Sequence, residues 1–258
     1  MHSSRAVAAL VTQLQAAPVL FLLLDYDGTL VPFAPTPELA EPDDELICLL
    51  RRLATRPSTE VHVVSGRPRE TLKRWLGALP IGLHAEHGFS SRMPGASTWT
   101  AGVAPSPDWR PAVLALMQTF AERTSGAFVE DKSVGLAWHY RLADPHVGPA
   151  RARALRSELT LLLRSSPAEI LPGAKVVEVV ARGVHKGRLV PSFLARAPAG
   201  ALIVALGDDR TDEDLFAALP PGALAVHVGP EPSQASIRLA GVPQVRALLR
   251  AVADAPPL

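Results

Sequence analysis

Two arrangements of apolar residues alternate along this chain. Four short runs are apolar almost throughout: VLFLLLD (19–25), VHVVSG (61–66), ALIVALGD (201–208) and LAVHVG (224–229). Strands covered on both faces read this way, without the polar alternation of a half-exposed sheet. Between them the period lengthens to that of a helix. In PDDELICLLRRLATR (42–56), Leu46, Leu49, Leu50 and Leu53 fall at i, i+3, i+4 and i+7. Acids open that segment and arginines close it, as the helix dipole favours. RPRETLKRWLGALP (67–80) places Leu72, Trp75 and Leu76 on one side. Strand and helix in alternation predict a doubly wound α/β sheet.

The pattern changes between residues 104 and 181. Two helices are expected there, PAVLALMQTFAERT (111–124) and PARARALRSELTLLLRSS (149–166). Short strands follow each: AFVEDK and GLAWHYR after the first, AEIL and KVVEVV after the second. DKSVG turns the first pair into a hairpin. Buried-strand patterns resume afterwards. The expected organisation is therefore a core of residues 1–103 and 182–258, with a smaller α+β module, 104–181, inserted into it.

Composition narrows the functional classes. The 258 residues carry 26 basic and 25 acidic side chains, a net charge of +1. A near-neutral chain gives no support for nucleic acid or a membrane surface as the main partner. The apolar start is broken by Gln13, Gln15 and Pro18 and closed by Asp25 and Asp27, so it reads as a short helix and a strand rather than a leader or a span. Cys48 is the single cysteine, too few for a disulfide, which points to a reducing, cytoplasmic setting. Its place in ELICLLRRL puts it on the apolar, core-facing side of a helix.

In open α/β sheets, ligands bind beyond the carboxyl ends of the strands. The unusual residues of this sequence gather there. The first strand ends in Asp25-Tyr26-Asp27-Gly28-Thr29, the second in Ser65-Gly66-Arg67, the third in Gly207-Asp208-Asp209-Arg210-Thr211-Asp212. His185-Lys186-Gly187 opens the segment before the third strand. Each piece alone is an ordinary turn or helix cap. In this order they bring acids, hydroxyls and a lysine to one rim. His84 and His87, three apart, have no partnering acid pattern for zinc.

The combination LDYDGTL, SGR, HKG and GDDRTDED resembles the haloacid-dehalogenase superfamily of aspartate-nucleophile phosphatases. With AEHG, VEDKSVGLAWHYR and VVEVV it is similar to the trehalose-6-phosphate phosphatase family, from about residue 20 to 230. The resemblance implies a Rossmann-like core with an inserted C2B-type cap, and a stand-alone phosphatase for trehalose 6-phosphate, monomeric and bound to neither nucleic acid nor membrane. A relative acting on sucrose phosphate or mannosyl-phosphoglycerate would keep the core motifs and change the cap. A non-enzymatic module on this fold would be expected to have lost Asp25, Asp27, Lys186 or Asp208, and all four are present.

The chemistry suits the residues. Phosphoryl transfer needs positioning and charge neutralisation, and a carboxylate nucleophile divides one difficult step into two. Asp25 is expected to attack phosphorus. Asp27 protonates the leaving oxygen and then takes a proton from water. Gly28 lets backbone amides approach the phosphate, Thr29 and Ser65 donate to it, and Lys186 offsets its charge. Gly66 and Arg67 complete that side. The acids and a phosphate dianion require a hard divalent cation such as Mg²⁺. By resemblance its ligands are the Asp25 and Asp208 carboxylates and the Asp27 carbonyl, with Asp212 holding a metal-bound water or Lys186, and Asp209 assisting. By resemblance too, Glu130, Lys132 and Glu178 contact the distal glucose in a cap that closes over the site. Arg67, His139 and Arg141 are weaker candidates there.

Overall fold

The structure, a computed structural model, describes residues 2–103 and 106–255, the side chains of residues 2–6 and 172 excepted. It divides into two compact units, one of residues 1–33, 40–101 and 185–258, the other of residues 34–39 and 102–184.

The first unit is built on an eight-stranded sheet. In chain order the strands are β1 (Leu20–Leu24), β2 (Thr59–Val64), β3 (Gly82–Ala85), β4 (Ser90–Arg92), β5 (Thr100–Ala101), β10 (Leu202–Gly207), β11 (Leu224–Val228) and β12 (Ile237–Leu239). They lie side by side as β12-β11-β10-β1-β2-β3-β4-β5. All pairs from β12 to β3 are parallel, and β4 and β5 are antiparallel additions at one edge. The order reverses between β1 and β10, so the crevice expected to take a ligand lies at their carboxyl ends.

All five β1 side chains are buried. Phe21 and Leu23 join a cluster with Phe193, Ile203, Ala205, Leu215 and Phe216, while Leu20, Leu22 and Leu24 alternate to the other face. That double burial explains why the strand is apolar throughout. The helices of this unit are α1 (His2–Gln15), α2 (Asp44–Thr55), α3 (Arg69–Leu76), α6 (Val190–Leu194), α7 (Arg210–Ala218) and α8 (Val242–Asp254). In α2 the Asp43 side chain accepts from Leu46 N–H as N-cap, and the four leucines expected to face the core are buried. Cys48 differs from expectation: it is exposed, because Leu46, Leu49, Leu50 and Leu53 use up the apolar face. The chain after residue 229, for which the sequence reading names no element, forms β12 and α8.

The second unit has four antiparallel strands, β6 (Phe128–Asp131), β7 (Gly135–His139), β8 (Ala168–Gly173) and β9 (Val176–Ala181), in the order β6-β7-β9-β8. Two helices, α4 (Arg110–Glu122) and α5 (Val147–Leu162), accompany them. Leu136, Trp138, Val177 and Val179 pack with Val113, Met117 and Phe120 of α4 and Ala152, Leu155 and Leu159 of α5. The opposite face of the sheet carries Glu130, Ala137 and Glu178, which are register partners across β6, β7 and β9. Among the described residues no helix is long and apolar enough to cross a membrane.

Candidate active site

Parallel pairing carries β1 and β10 to the same rim. Asp25 N–H still donates to the Leu206 carbonyl at 2.9 Å, and the next residues turn away. Leu30 N–H and Val31 N–H both donate to the Tyr26 carbonyl, and Gly28 N–H donates to the Val31 carbonyl at 2.8 Å. The turn is thus closed by Tyr26 and Gly28, the neighbours of Asp27. Gly28 has φ +85°, and a Cβ there would lie 2.3 Å from Asp208 Oδ2. The Gly28 amide is used within the turn, and the missing side chain admits Asp208.

Lys186 opens a 3₁₀ turn, Lys186–Leu189, and is buried. Its Nζ donates to Asp25 Oδ1 at 2.6 Å and to Asp212 Oδ1 at 2.7 Å. Asp212 is fully buried in the first turn of α7, and its Oδ2 accepts from the backbone N–H groups of Asp208 and Asp209 at 3.1 and 3.2 Å. Asp209 is the N-cap of α7, accepting from Thr211 N–H and Asp212 N–H in a capping box. The GDDRTDED segment therefore folds into a helix start whose capping bonds fix the acids.

Four carboxylates here, from Asp25, Asp208, Asp209 and Asp212, share the Lys186 ammonium. Burial, opposed by Lys186, pushes the Asp25 and Asp212 carboxyls up. Burial and the charges of Asp209 and Asp212 push Asp208 up to about 8. Lys186 is raised, its two carboxylate partners outweighing a desolvation that acts the other way. Asp209 is lowered: burial opposes its ionisation, but Lys186 and the Thr211 hydrogen bonds outweigh it. Asp25, Asp208 and Asp212 can each offer an oxygen within 4.8 Å of the others. This all-oxygen, anion-rich set fits a hard divalent cation.

Three expected phosphate contacts are engaged within the protein. Thr29 Oγ1 donates to Asp208 Oδ1 at 3.3 Å, a different partner from the one expected. Ser65 Oγ accepts from Arg67 N–H at 3.2 Å, which leaves its hydroxyl proton to be donated elsewhere. Arg67 forms two bonds to Asp27, Nε to Oδ2 at 2.7 Å and Nη2 to Oδ1 at 2.6 Å. The sequence reading pairs Arg67 with substrate; here its side chain pairs with Asp27. Gly66 passes close to the His87 ring, 2.8 Å from Cε1 to where a Cβ would sit.

In the second unit, Lys132 Nζ donates to Glu178 Oε1 at 2.7 Å, with both side chains about one-tenth exposed. His139 Nε2 meets Glu130 Oε2 at 2.9 Å. Burial would raise Glu130, but the His139 hydrogen bond and Lys132 hold it below the ordinary range. Arg141 donates to the Ala174 carbonyl at 2.6 Å. The sequence reading carries no signal for Tyr26 and Trp75 as a frame around Arg67, because Trp75 reads as a core position of α3.

This α/β architecture with a smaller α+β unit is the haloacid-dehalogenase-like fold, and the acids lie at the ends of its parallel strands. The family model for trehalose-phosphatase matches residues 23–242. A bifunctional trehalose-6-phosphate synthase/phosphatase from Thermoproteus tenax is 45% identical over 228 residues, covering 88% of this chain and 31% of the relative. A trehalose-phosphatase from Schizosaccharomyces pombe is 37% identical over 204 residues, 76% of this chain and 25% of the relative. The C-terminal domain of C. albicans trehalose-6-phosphate phosphatase superposes with a TM-score of 0.89 at 30% identity, over 96% of each chain. The chain belongs to the trehalose-phosphatase family. It spans under a third of the length of these curated relatives. Membership implies a divalent metal.

Proposed function

We propose that this protein is a Mg²⁺-dependent phosphatase that hydrolyses trehalose 6-phosphate through an aspartyl-phosphate on Asp25. The observation that carries the reading is the buried Lys186, bonded to Asp25 and Asp212 beside Asp208 at the β1–β10 rim. Lys186 holds the Asp25 carboxylate in place and supplies positive charge where a phosphoryl group would arrive. Asp25 attacks phosphorus as the P–O ester bond breaks, and Asp27 gives its proton to the departing sugar oxygen. Asp27 then takes a proton from the water that attacks the acyl phosphate, and free phosphate leaves. Ser65 donates its hydroxyl proton to a phosphate oxygen.

Asp25, Asp208 and the Asp27 carbonyl would hold the cation. Asp212 is committed to Lys186 and to two backbone amides, so its part is to fix Lys186 and the Asp208 backbone. When bound, the cation neutralises charge on the phosphoryl oxygens. Glu130, Lys132 and Glu178 recognise sugar hydroxyls, for which charged hydrogen-bonding groups on one sheet face are suited. The near-neutral charge suits a small-molecule substrate, and the single cysteine suits a cytoplasmic setting.

The test is phosphate release from trehalose 6-phosphate, sucrose 6-phosphate, mannosyl-phosphoglycerate and glucose 6-phosphate, with Mg²⁺ and with chelator. Trehalose 6-phosphate should have the highest kcat/KM, and chelator should abolish it. Preference for another ester would overturn the substrate, and no metal-dependent release from any would overturn the activity.

A further inference from the structure

The Asp27 carboxylate is gripped by a planar fork. Both of its oxygens accept from Arg67, through Nε and Nη2. The guanidinium is itself held. Its Cζ lies 4.7 Å from the centre of the Trp75 ring and 5.6 Å from that of Tyr26, and those rings stack at 5.7 Å between centroids. Tyr26 is pinned in turn, its hydroxyl donating to the Ala40 carbonyl at 2.8 Å. The Arg67 backbone is tied at both ends, N–H to Ser65 Oγ and carbonyl to Glu86 N–H. Only 9% of the residue is exposed. So large a set of internal contacts fixes one geometry, that of the Asp27 carboxylate plane.

We infer that Arg67 is a positioning residue for proton transfer at Asp27, and not a ligand for the sugar phosphate. This rests on the phosphatase reading above. A two-point guanidinium–carboxylate pair fixes both distance and rotation, which a lysine's point charge cannot do. Rotation matters because the Asp27 oxygen must face the ester oxygen as the P–O bond breaks. At that moment the oxygen keeps the bonding pair and receives the Asp27 proton, while Asp25 forms the new bond to phosphorus. A sugar alkoxide leaves badly without that proton. A p-nitrophenolate hardly needs it. Arg67 therefore bears on esters in proportion to how poorly their leaving groups depart.

The experiment compares kcat and KM on trehalose 6-phosphate and p-nitrophenyl phosphate, with Mg²⁺, for Arg67→Lys and Arg67→Met. Trp75→Leu is added because it keeps the guanidinium and removes one of its supports. Thermal melts establish that each protein is folded. The expected result is a fall in kcat of at least about tenfold on the sugar ester, within the usual reach of general acid catalysis, with KM changed by no more than about twofold. The loss of kcat/KM, which reports phosphoryl transfer to Asp25 and not the later hydrolysis common to both esters, should be about tenfold smaller on p-nitrophenyl phosphate, and Trp75→Leu should show the same pattern at lower amplitude. A rise in KM with kcat retained would make Arg67 a substrate ligand and overturn the inference. Equal losses of kcat/KM on both esters would reduce it to structural support and also overturn it. Wild type and Asp27→Asn are measured alongside. If wild type leaves the sugar ester intact, or Asp27→Asn cleaves it normally, the phosphatase reading itself fails. If both behave as expected, a missing leaving-group split counts against Arg67 alone.

Discussion

Asp212 accepts the Lys186 ammonium on Oδ1 at 2.7 Å, and its Oδ2 accepts the backbone N–H groups of the two acids that precede α7. One buried carboxylate thus fixes both the lysine and the strand end that carries Asp208. Removing it strips charge from a buried pair and leaves two amides without their acceptor. Asp212→Ala is expected to cost about 3–5 kcal/mol of stability, the usual range for breaking a buried ion pair, and to abolish phosphate release. Asp212→Asn keeps an acceptor oxygen and should be destabilised less while remaining inactive. Urea unfolding of the metal-free proteins measures the first effect. A loss within about 1 kcal/mol for Asp212→Ala would show that Lys186 is held by other means.

Asp208, pushed up to about 8 by burial and by Asp209 and Asp212, keeps its proton at neutral pH when no cation is bound. A divalent cation must displace that proton. Its affinity should therefore weaken as pH falls from 8 toward 6, and binding at pH 7 should release about one proton. Calorimetric titration with Mg²⁺ in buffers of differing ionisation enthalpy reads the release directly. Asp208→Asn should bind the cation more weakly and release fewer protons than wild type. Proton-neutral binding by wild type at pH 7 would remove Asp208 from the ligand set.

Gly28 allows Asp208 its position. The residue has φ +85°, and a Cβ would meet Asp208 Oδ2 at 2.3 Å. Gly28→Ala should cost about 1 kcal/mol in backbone strain, and it should also displace Asp208, raising the Mg²⁺ concentration needed for activity. A variant with normal Mg²⁺ dependence would show that the Asp208 side chain yields freely.

The strands that hold the site were legible because they are buried on both faces. β1, β2, β10 and β11 each appear in the sequence as a run apolar almost throughout, and the ends of β1 and β10 carry the acids. The face of α2 was legible from its four leucines. The short strands β3, β4, β5 and β12 carry no comparable run; β5 has two residues. The helix α8 does have a readable stripe, Val245, Leu248, Leu249 and Val252, all buried, but no motif there draws attention to it. The chemistry of the site was legible as a list of residue types. Its pairings were not. Nothing in the spacing says that Thr29 turns to Asp208, or that Arg67 takes Asp27, because those contacts join residues 179 and 40 positions apart.

A second buried network predicts a pH dependence of stability. His62 and His84 are inaccessible to solvent, with His62 Nδ1 2.9 Å from His84 Nε2. His62 Nε2 donates to the Glu60 carboxylate, so Nδ1 accepts from His84 Nε2–H, and His84 Nδ1 accepts from Ser91 Oγ. With both rings neutral every contact in the chain has a donor and an acceptor. Burial lowers His62, against the pull of Glu60, and lowers His84 further with help from His62. The unfolded histidines titrate near 6.5, so below that pH the unfolded chain binds more protons. Stability should fall as pH drops from 7 to 5.5, by about 1 kcal/mol for each histidine. Glu60, held down at about 2 against burial by His62 and Arg196, acts only at lower pH: its contribution is present above the ordinary glutamate range and is lost on the way to 2. Urea unfolding against pH should be flatter between 7 and 5.5 in His62→Leu/His84→Leu than in wild type. An unchanged slope would mean the pair already titrates in the folded state.

Ala137 lies between Glu130 and Glu178 in register across three strands. Its side chain is buried, and Lys132 bonds to Glu178 beside it. If this face recognises the sugar, each hydrogen bond to a charged group is worth about 1.5–3 kcal/mol. Replacing Glu130, Lys132 or Glu178 by Ala should lower kcat/KM on trehalose 6-phosphate by roughly tenfold to a hundredfold. A small ester such as p-nitrophenyl phosphate has no sugar for these side chains to bind, so its loss should be much smaller. Losing either member of the Lys132–Glu178 pair leaves the other charge nearly buried, so melting temperatures are recorded beside the kinetics. Glu130, whose neighbour His139 is partly exposed, provides the variant least burdened by folding. Equal losses on the two esters would assign these residues to the architecture of the second unit. No loss on either would leave them as a network of charges that bonds only within its own sheet.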